Sequence, residues 1–295
     1  MSCLPSCARM SHPLPEPPGS SPRKLGLLTC SAPAVRRTLA LARSASAVPG
    51  GAGVAKLEAD RQRRGVSVAL GVVLSDRWKR AYPGAMAGIL GMHGLVNPDL
   101  DTALQDRAAQ LQAQIRTRFS GIDRTQLIAT PTLRAYTNYY KRFGKTYHVQ
   151  LQLESVLFKG KSIKGPSAIV QAMLIAELNN LLLTAGHDLA RVQGGLTIDV
   201  SVGTERYTLL GGTEQTLKAG DMFIRDEEGI LSSIIYGPDQ RTRITSESRA
   251  VIFTVYAPPG ISKEELETHL SDLEANVRVF SPDAEVETRE VFTAG

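Results

Sequence analysis

Residues 168–185 constrain the fold most. They form an apolar run interrupted by Gln171, Glu177, Asn179 and Asn180. Four polar side chains make the run a poor membrane span, and its apolar content leaves too narrow a polar face for a surface helix. It therefore belongs in the core of a globular domain, and 42% apolar residues among 295 suffice to build that core. Pro166 suits a first helical turn and Gly186 a left-handed stop, so a buried helix is expected over 166–185. In such a helix Glu177, Asn180 and Thr184 share one face. Buried polar groups must be hydrogen-bonded or line a cavity. His187, just past the expected cap, either faces that same cavity or lies on the surface.

Around this segment the patterning is mixed. Residues 66–74 and 85–92 read as buried strands flanking the Pro83-Gly84 turn. Leu100, Leu104, Ala108, Leu111 and Ile115 form an amphipathic helical stripe after Asn97-Pro98. Asp123 caps a second helix, broken at Pro131 and ending near Phe143-Gly144. Val149, Leu151 and Leu153 alternate with Gln150, Gln152 and Glu154, which predicts a half-exposed strand. From Gly195 strands are expected over 196–202, 207–210, 222–224, 230–236 and 250–257. Ser262 with Glu265 forms a capping box for a last helix burying Leu266, Leu270 and Leu273. The sum is an α+β domain.

The net charge of +5 is unevenly spread. Residues 1–65 hold ten Lys and Arg against three acids, so the remaining 230 residues carry a net of −2. Cys3, Cys7 and Cys30 also lie in this segment, leaving residues 66–295 without a disulfide, thiolate metal site or cysteine nucleophile. The division expected is therefore 1–65, a basic Pro/Ser/Arg-rich disordered tail, and 66–295, the folded domain, in a cytoplasmic setting. The tail also fits an organellar presequence or a start codon placed too far upstream.

Two constellations carry chemistry. One is the Glu177, Asn180, Thr184 and His187 group. The other gathers Tyr136, Tyr139, Tyr140, Phe143 and Tyr147 with Arg134, Lys141, Arg142, Lys145, Lys159, Lys161 and Lys164, against Glu154 alone. Aromatics stacked on bases beside cations on phosphates hold single-stranded or tRNA-type ligands. The same rings equally serve to anchor a helix to a sheet. Arg241 and Arg243 would extend a cationic surface. No GxSxG, P-loop or HExxH sequence occurs, and the histidines are scattered, so neither a metal nor a cofactor is expected.

The order of features from Leu181 to Thr254 resembles the B3/B4 domain of the beta subunit of bacterial phenylalanyl-tRNA synthetase. The matching residues are 188–195 (Asp-Leu-Ala-Arg-Val-Gln-Gly-Gly), 208–214 (Thr-Leu-Leu-Gly-Gly-Thr-Glu), Asp221 to Asp226, and Ile235-Tyr236-Gly237. From about Val66 the chain is similar to free-standing B3/B4 proteins. The resemblance implies a layered β/β/α architecture and, in the synthetase, hydrolysis of tyrosine mistakenly attached to the phenylalanine tRNA. It gives catalytic places to Gly237, at the pocket turn, and to His187, two residues beyond the family histidine's position at Ala185. The family glutamate falls at Thr254 or Phe253, neither of which is acidic. A site built to hold a hydroxyl depends on its polar partner, so tyrosine selectivity is not carried over.

Three readings follow. The first is a stand-alone module that binds tRNA or another structured RNA and deacylates mischarged aminoacyl-tRNA, with Glu177, Asn180, Thr184 and Thr254 lining the substrate pocket. The second is an RNA-binding module without catalysis, with Tyr139 and Tyr140 exposed beside the lysines. The third is a sensor for a free amino acid, which would bury those rings.

Overall fold

The computed structural model describes residues 70–295. The expected tail at 1–65 and the start of the strand expected over 66–74 lie outside the described residues. The rest is an α+β fold in which a five-stranded sheet, a four-stranded sheet and helices form successive layers.

The five-stranded sheet comprises β1 (Val72–Leu74), β4 (Leu196–Val200), β7 (Met222–Arg225), β8 (Ile230–Ser233) and β9 (Gly237–Pro238), in that order. β1 and β4 pair in parallel, and the other neighbours are antiparallel. The four-stranded sheet runs β11 (Glu285–Thr293), β2 (Met86–His93), β10 (Ala250–Ala257), β3 (Leu183–Asp188), antiparallel throughout. A small hairpin joins β5 (Arg206–Thr208) to β6 (Glu214–Thr216). α1 (Asp76–Ala81) is capped by Ser75 and buries Trp78.

Four of the expected elements form nearly as read. The strand over 85–92 is β2, that over 250–257 is β10, and Asp123 with Gln126 makes a capping box for α3 (Arg124–Ile128). Ser262 and Glu265 make another for α7 (Lys263–Phe280), which buries Leu266, Leu270 and Leu273. α2 (Thr102–Arg118) buries Leu104, Ala108, Leu111 and Ile115. Leu100 precedes its Asp101 cap and is 64% exposed, so the stripe starts one turn later than expected. α4 (Pro131–Lys141) begins on the proline that breaks it from α3.

Three expectations are corrected. The strand expected at 149–154 is the helix α5 (His148–Lys159). Val149, Leu153 and Val156 are buried at helical spacing, while Leu151 is 45% exposed, so the alternation is accidental. The helix expected over 166–185 ends at Asn180 as α6 (Ala168–Asn180), and Gly186 lies inside β3. The left-handed stop is Leu181, at φ +60°. A leucine holds that conformation, unfavourable for L-residues, because the corner's backbone groups are bonded by side chains. Tyr147 donates to the Leu181 carbonyl (3.1 Å), and the Leu183 and Thr184 N–H groups donate to Tyr136 (3.0 Å) and Glu177 (2.8 Å). Lastly, β11 has no counterpart among the expected strands. It is an edge strand with several exposed charged residues and a bulge between Val286 and Thr288.

The helical assignment of 148–159 has a direct check. Leu153→Ala should cost roughly 2–5 kcal/mol of stability, and Leu151→Lys should change it by no more than about 0.5 kcal/mol, as read by denaturant unfolding. Equal large losses would restore the strand.

Candidate functional site

Alternation along β3 splits the expected site in two. Thr184 and His187 have opposite parity on one strand, so they point to opposite faces of the sheet. The expected single pocket for Glu177, Asn180, Thr184 and His187 therefore does not form.

On the helical face the side chains gather about His269 of α7. Thr184 Oγ1 lies 2.7 Å from His269 Nε2, and Asn180 Nδ2 lies 3.3 Å from Nδ1. Asn180 also donates to Asp272 Oδ2 at 2.8 Å. Burial lowers the His269 pKa to about 3, so the ring is neutral near pH 7. Glu177 stands at the turn, accepting from the Thr184 N–H, and burial pushes its carboxyl up to about 8.

On the opposite face His187 bridges the two sheets. Its Nδ1 lies 2.8 Å from Thr242 Oγ1, and its Nε2 lies 3.1 Å from Ser232 Oγ of β8. The Thr242 hydroxyl donates to Asp239 Oδ1, so its oxygen accepts from His187 Nδ1–H. Nε2 is then the acceptor for the Ser232 hydroxyl, and Tyr256 Oη sits 2.8 Å from Ser232 Oγ. This order of protons follows from the hydrogen-bond network. His187 Nδ1 also approaches Asp239 Oδ1 at 3.8 Å, but burial lowers the imidazole pKa, so the contact is not an ion pair at neutral pH. Ser232, His187, Thr242 and Asp239 are thus joined in a buried relay. As it stands, His187 has no nitrogen free for a water.

Register places Thr254 opposite Ala185, on the same face as His187. It is buried, and its hydroxyl makes only a long 3.5 Å contact to the Ala185 carbonyl. Gly237 lies in β9, which pairs with β8, at φ +81°. A Cβ there would meet nothing within 4 Å, so glycine serves the conformation and leaves open space beside the turn. The Gly237 carbonyl accepts from Tyr207 at 2.7 Å.

The expected aromatic platform is absent. Tyr139 and Tyr140 are buried, as are Tyr136, Phe143 and Tyr147, so no ring face is free to stack on a base. Their hydroxyls explain why. Tyr139 accepts from the Met222 N–H (2.6 Å) and donates to Asp221 (2.9 Å), and Tyr140 donates to the Ile234 carbonyl (2.7 Å). Tyr136 and Tyr147 lie stacked with centroids 4.2 Å apart. Asp221 is held in this layer with Oδ2 unbonded, and burial raises its carboxyl to about 7.

The cations divide. Lys141, Arg142, Lys145, Lys159, Lys161, Lys164 and Arg243 are exposed and make no ion pair among the described residues. Arg142 and Lys145 lie over the rings of Tyr82 and Tyr236. Arg241 is committed to Asp226 (2.9 Å), Glu228 (3.3 Å) and the Arg191 carbonyl (2.8 Å), so it is a structural tie and not a free phosphate contact. Ser232, Asp239, Thr242, Tyr256 and His269 were not singled out from sequence. The first four gather around His187, with Thr242 and Ser232 lying 55 and 45 residues from it along the chain, and His269 lies 85 residues from its partner Thr184. Among the described residues no cluster of His, Cys, Asp or Glu is arranged to hold a metal ion, and no helix is long and apolar enough to cross a membrane.

Residues 135–278 match the family model of the B3/4 domain. The matched segment begins within α4, ends within α7 and includes β3 with its two hydrogen-bonded clusters. A solved structure, an N-terminal fragment of the phenylalanyl-tRNA synthetase beta subunit from Pyrococcus horikoshii, is similar at 14% identity and a TM-score of 0.39. The similarity covers 73% of this chain and 50% of that one, so this chain spans half the fragment's length. Comparison with curated proteins gives no match.

Glu177 yields a pH prediction. Its folded pKa of about 8 lies above the ordinary 4.5, so its contribution to stability is fully present below about 4.5 and lost as pH rises through 8. Glu177→Gln keeps an acceptor for the Thr184 N–H and removes the charge. The variant's melting temperature relative to the native chain should rise by several degrees between about pH 5 and about pH 9. A difference that does not change with pH would show that Glu177 titrates elsewhere.

Proposed function

We propose that this B3/4-domain protein binds RNA of the tRNA class through its exposed cations. The observation that carries the reading is the set Lys141, Arg142, Lys145, Lys159, Lys161 and Lys164, all exposed within the family-matched segment and without an ion pair among the described residues. Such charges bind phosphates and release counterions. Base contacts then need a source other than Tyr139 and Tyr140. Phe158, 54% exposed and next to Lys159, offers a ring. Lys161 and Lys164 rim a pocket of about 240 Å³ floored by Val156, Ile163, Leu174 and Leu178. Gln152 lines it too, and its buried Oε1 has no partner, an acceptor suited to a base amino group.

Deacylation of a mischarged tRNA is the catalytic extension of this reading. The open side of Gly237 is where an ester would approach the backbone, with nearby N–H groups stabilising the oxyanion. His187 would orient a water only after its bond to Ser232 opened. The burial of Tyr139 and Tyr140 favours a second reading, a free amino acid bound without RNA.

The test is binding of uncharged tRNA to the full chain at two salt concentrations, with the variant Lys159→Gln/Lys161→Gln/Lys164→Gln alongside. Affinity should fall steeply with salt, and the variant should bind about tenfold or more weakly with a shallower salt dependence. Tyr139→Phe should lower stability by roughly 1–3 kcal/mol and leave RNA affinity unchanged. Unchanged binding by the lysine variant and by a second variant, Lys141→Gln/Arg142→Gln/Lys145→Gln, would place any RNA affinity outside these cations and overturn the reading. Hydrolysis of one member of a mischarged tRNA panel would establish deacylation and name the amino acid.

A further inference from the structure

A groove between α2, α6 and α7 holds two opposite charges that do not meet. Arg107 of α2 and Asp272 of α7 line one pocket of about 220 Å³, yet no ion pair joins them and neither has another among the described residues. Arg107, Gln110 and Gln114 recur at helical spacing on α2, so they present one face to the groove. Their side chains bond to no other group among the described residues. Across the groove, Asp272 Oδ2 accepts from Asn179 (3.0 Å) and Asn180 (2.8 Å), which fixes the carboxylate and leaves Oδ1 uncommitted.

Beside Asp272, one turn further along α7, Asn276 also lines the pocket. It is 1% exposed. Its Nδ2 donates to the Ala172 carbonyl at 3.0 Å, which orients the amide, and its Oδ1 has no partner. A buried acceptor left unbonded costs on the order of 1–3 kcal/mol, and a donor from a ligand would remove that cost. Asp272 Oδ1 and Asn276 Oδ1 thus form an acceptor end, and Arg107 a donor end able to hold a carboxylate by two parallel bonds.

We propose that this groove binds a small zwitterion of the free α-amino acid class, its carboxylate on Arg107 and its ammonium between Asp272 and Asn276. Gln110, Gln114 and Asn179 line the rest of the groove beside Leu111, Ile175 and Ala176, which matches a side chain with a short apolar stem and its own hydrogen-bonding group. The inference stands apart from the RNA reading, and the groove is on the helical side of the four-stranded sheet, away from Gly237.

Calorimetric titration of the full chain with L-glutamine as the probe tests it. Saturable binding is expected. N-acetyl-L-glutamine, which lacks the ammonium, and 4-aminobutanamide, which lacks the carboxylate, should each bind at least about tenfold more weakly. Arg107→Gln should weaken L-glutamine binding by a similar factor, as should Asp272→Asn. Because Asp272 also ties down Asn179 and Asn180, the half-buried Arg107 provides the variant that leaves the fold intact. Absence of binding by L-glutamine and by every other standard amino acid would overturn the proposal. So would affinity that survives Arg107→Gln, or binding of either singly charged probe as tight as that of L-glutamine.

Discussion

The structure depends on tyrosine hydroxyls that bond to backbone inside the core. α4 lies across both sheets, and irregular backbone at their ends would otherwise stay unbonded. Tyr136 donates to the Tyr256 carbonyl of β10 and accepts from Leu183 at the start of β3. Tyr139 accepts from the Met222 N–H at the start of β7, and Tyr140 donates to the Ile234 carbonyl just after β8. Unpaired buried backbone groups are costly, and these rings satisfy them while supplying apolar area. One helix thereby fixes the two sheets to each other.

That fixing sets the chemistry available on either side of β3. Between the sheets, a neutral His187 sits in a chain running from Tyr256 through Ser232 and Thr242 to Asp239. Toward the helices, a neutral His269 joins Thr184 and Asn180 near Asp272. Both histidines are kept uncharged by desolvation, as is His148, whose pKa falls to about 4. Stability from such groups is full above their ordinary 6.5 and is lost as pH falls toward the folded values. Glu177 and Asp221 act in the opposite sense. The fold is therefore bounded by buried histidines on the acid side and by buried carboxyls on the alkaline side.

Sequence patterning revealed elements where a single local signal decides the outcome. Asp123 and Ser262 each cap a helix with their own side chains, and the run in β10 is too apolar to sit anywhere but a central strand. It failed where tertiary contacts decide. Three alternating pairs at 149–154 fit a strand as well as a helix, and only packing of Val149, Leu153 and Val156 chooses. The end of α6 was misplaced because its left-handed residue is Leu181, and glycine is the expected signal. That error carried Thr184 onto a helix and merged two sites into one. The tyrosine cluster was legible as a unit, with its anchoring role open from the outset. Which way the rings face depends on Met222, Asp221 and Ile234, about eighty residues or more away. The family resemblance survived these errors because it rested on the order of turns between Asp188 and Gly237, which the helix boundary does not touch.

The corner at Leu181 and Leu182 is a register pin. It sets which residues of β3 point inward and which outward, and side chains repeat every second position. Losing or gaining one residue there would exchange the two faces, carrying His187 among the helices and Thr184 between the sheets. Both hydrogen-bonded clusters would be broken by a change that alters no side chain in either. This two-residue link therefore tolerates substitution more readily than any change of length, unlike the surface turns elsewhere in the fold.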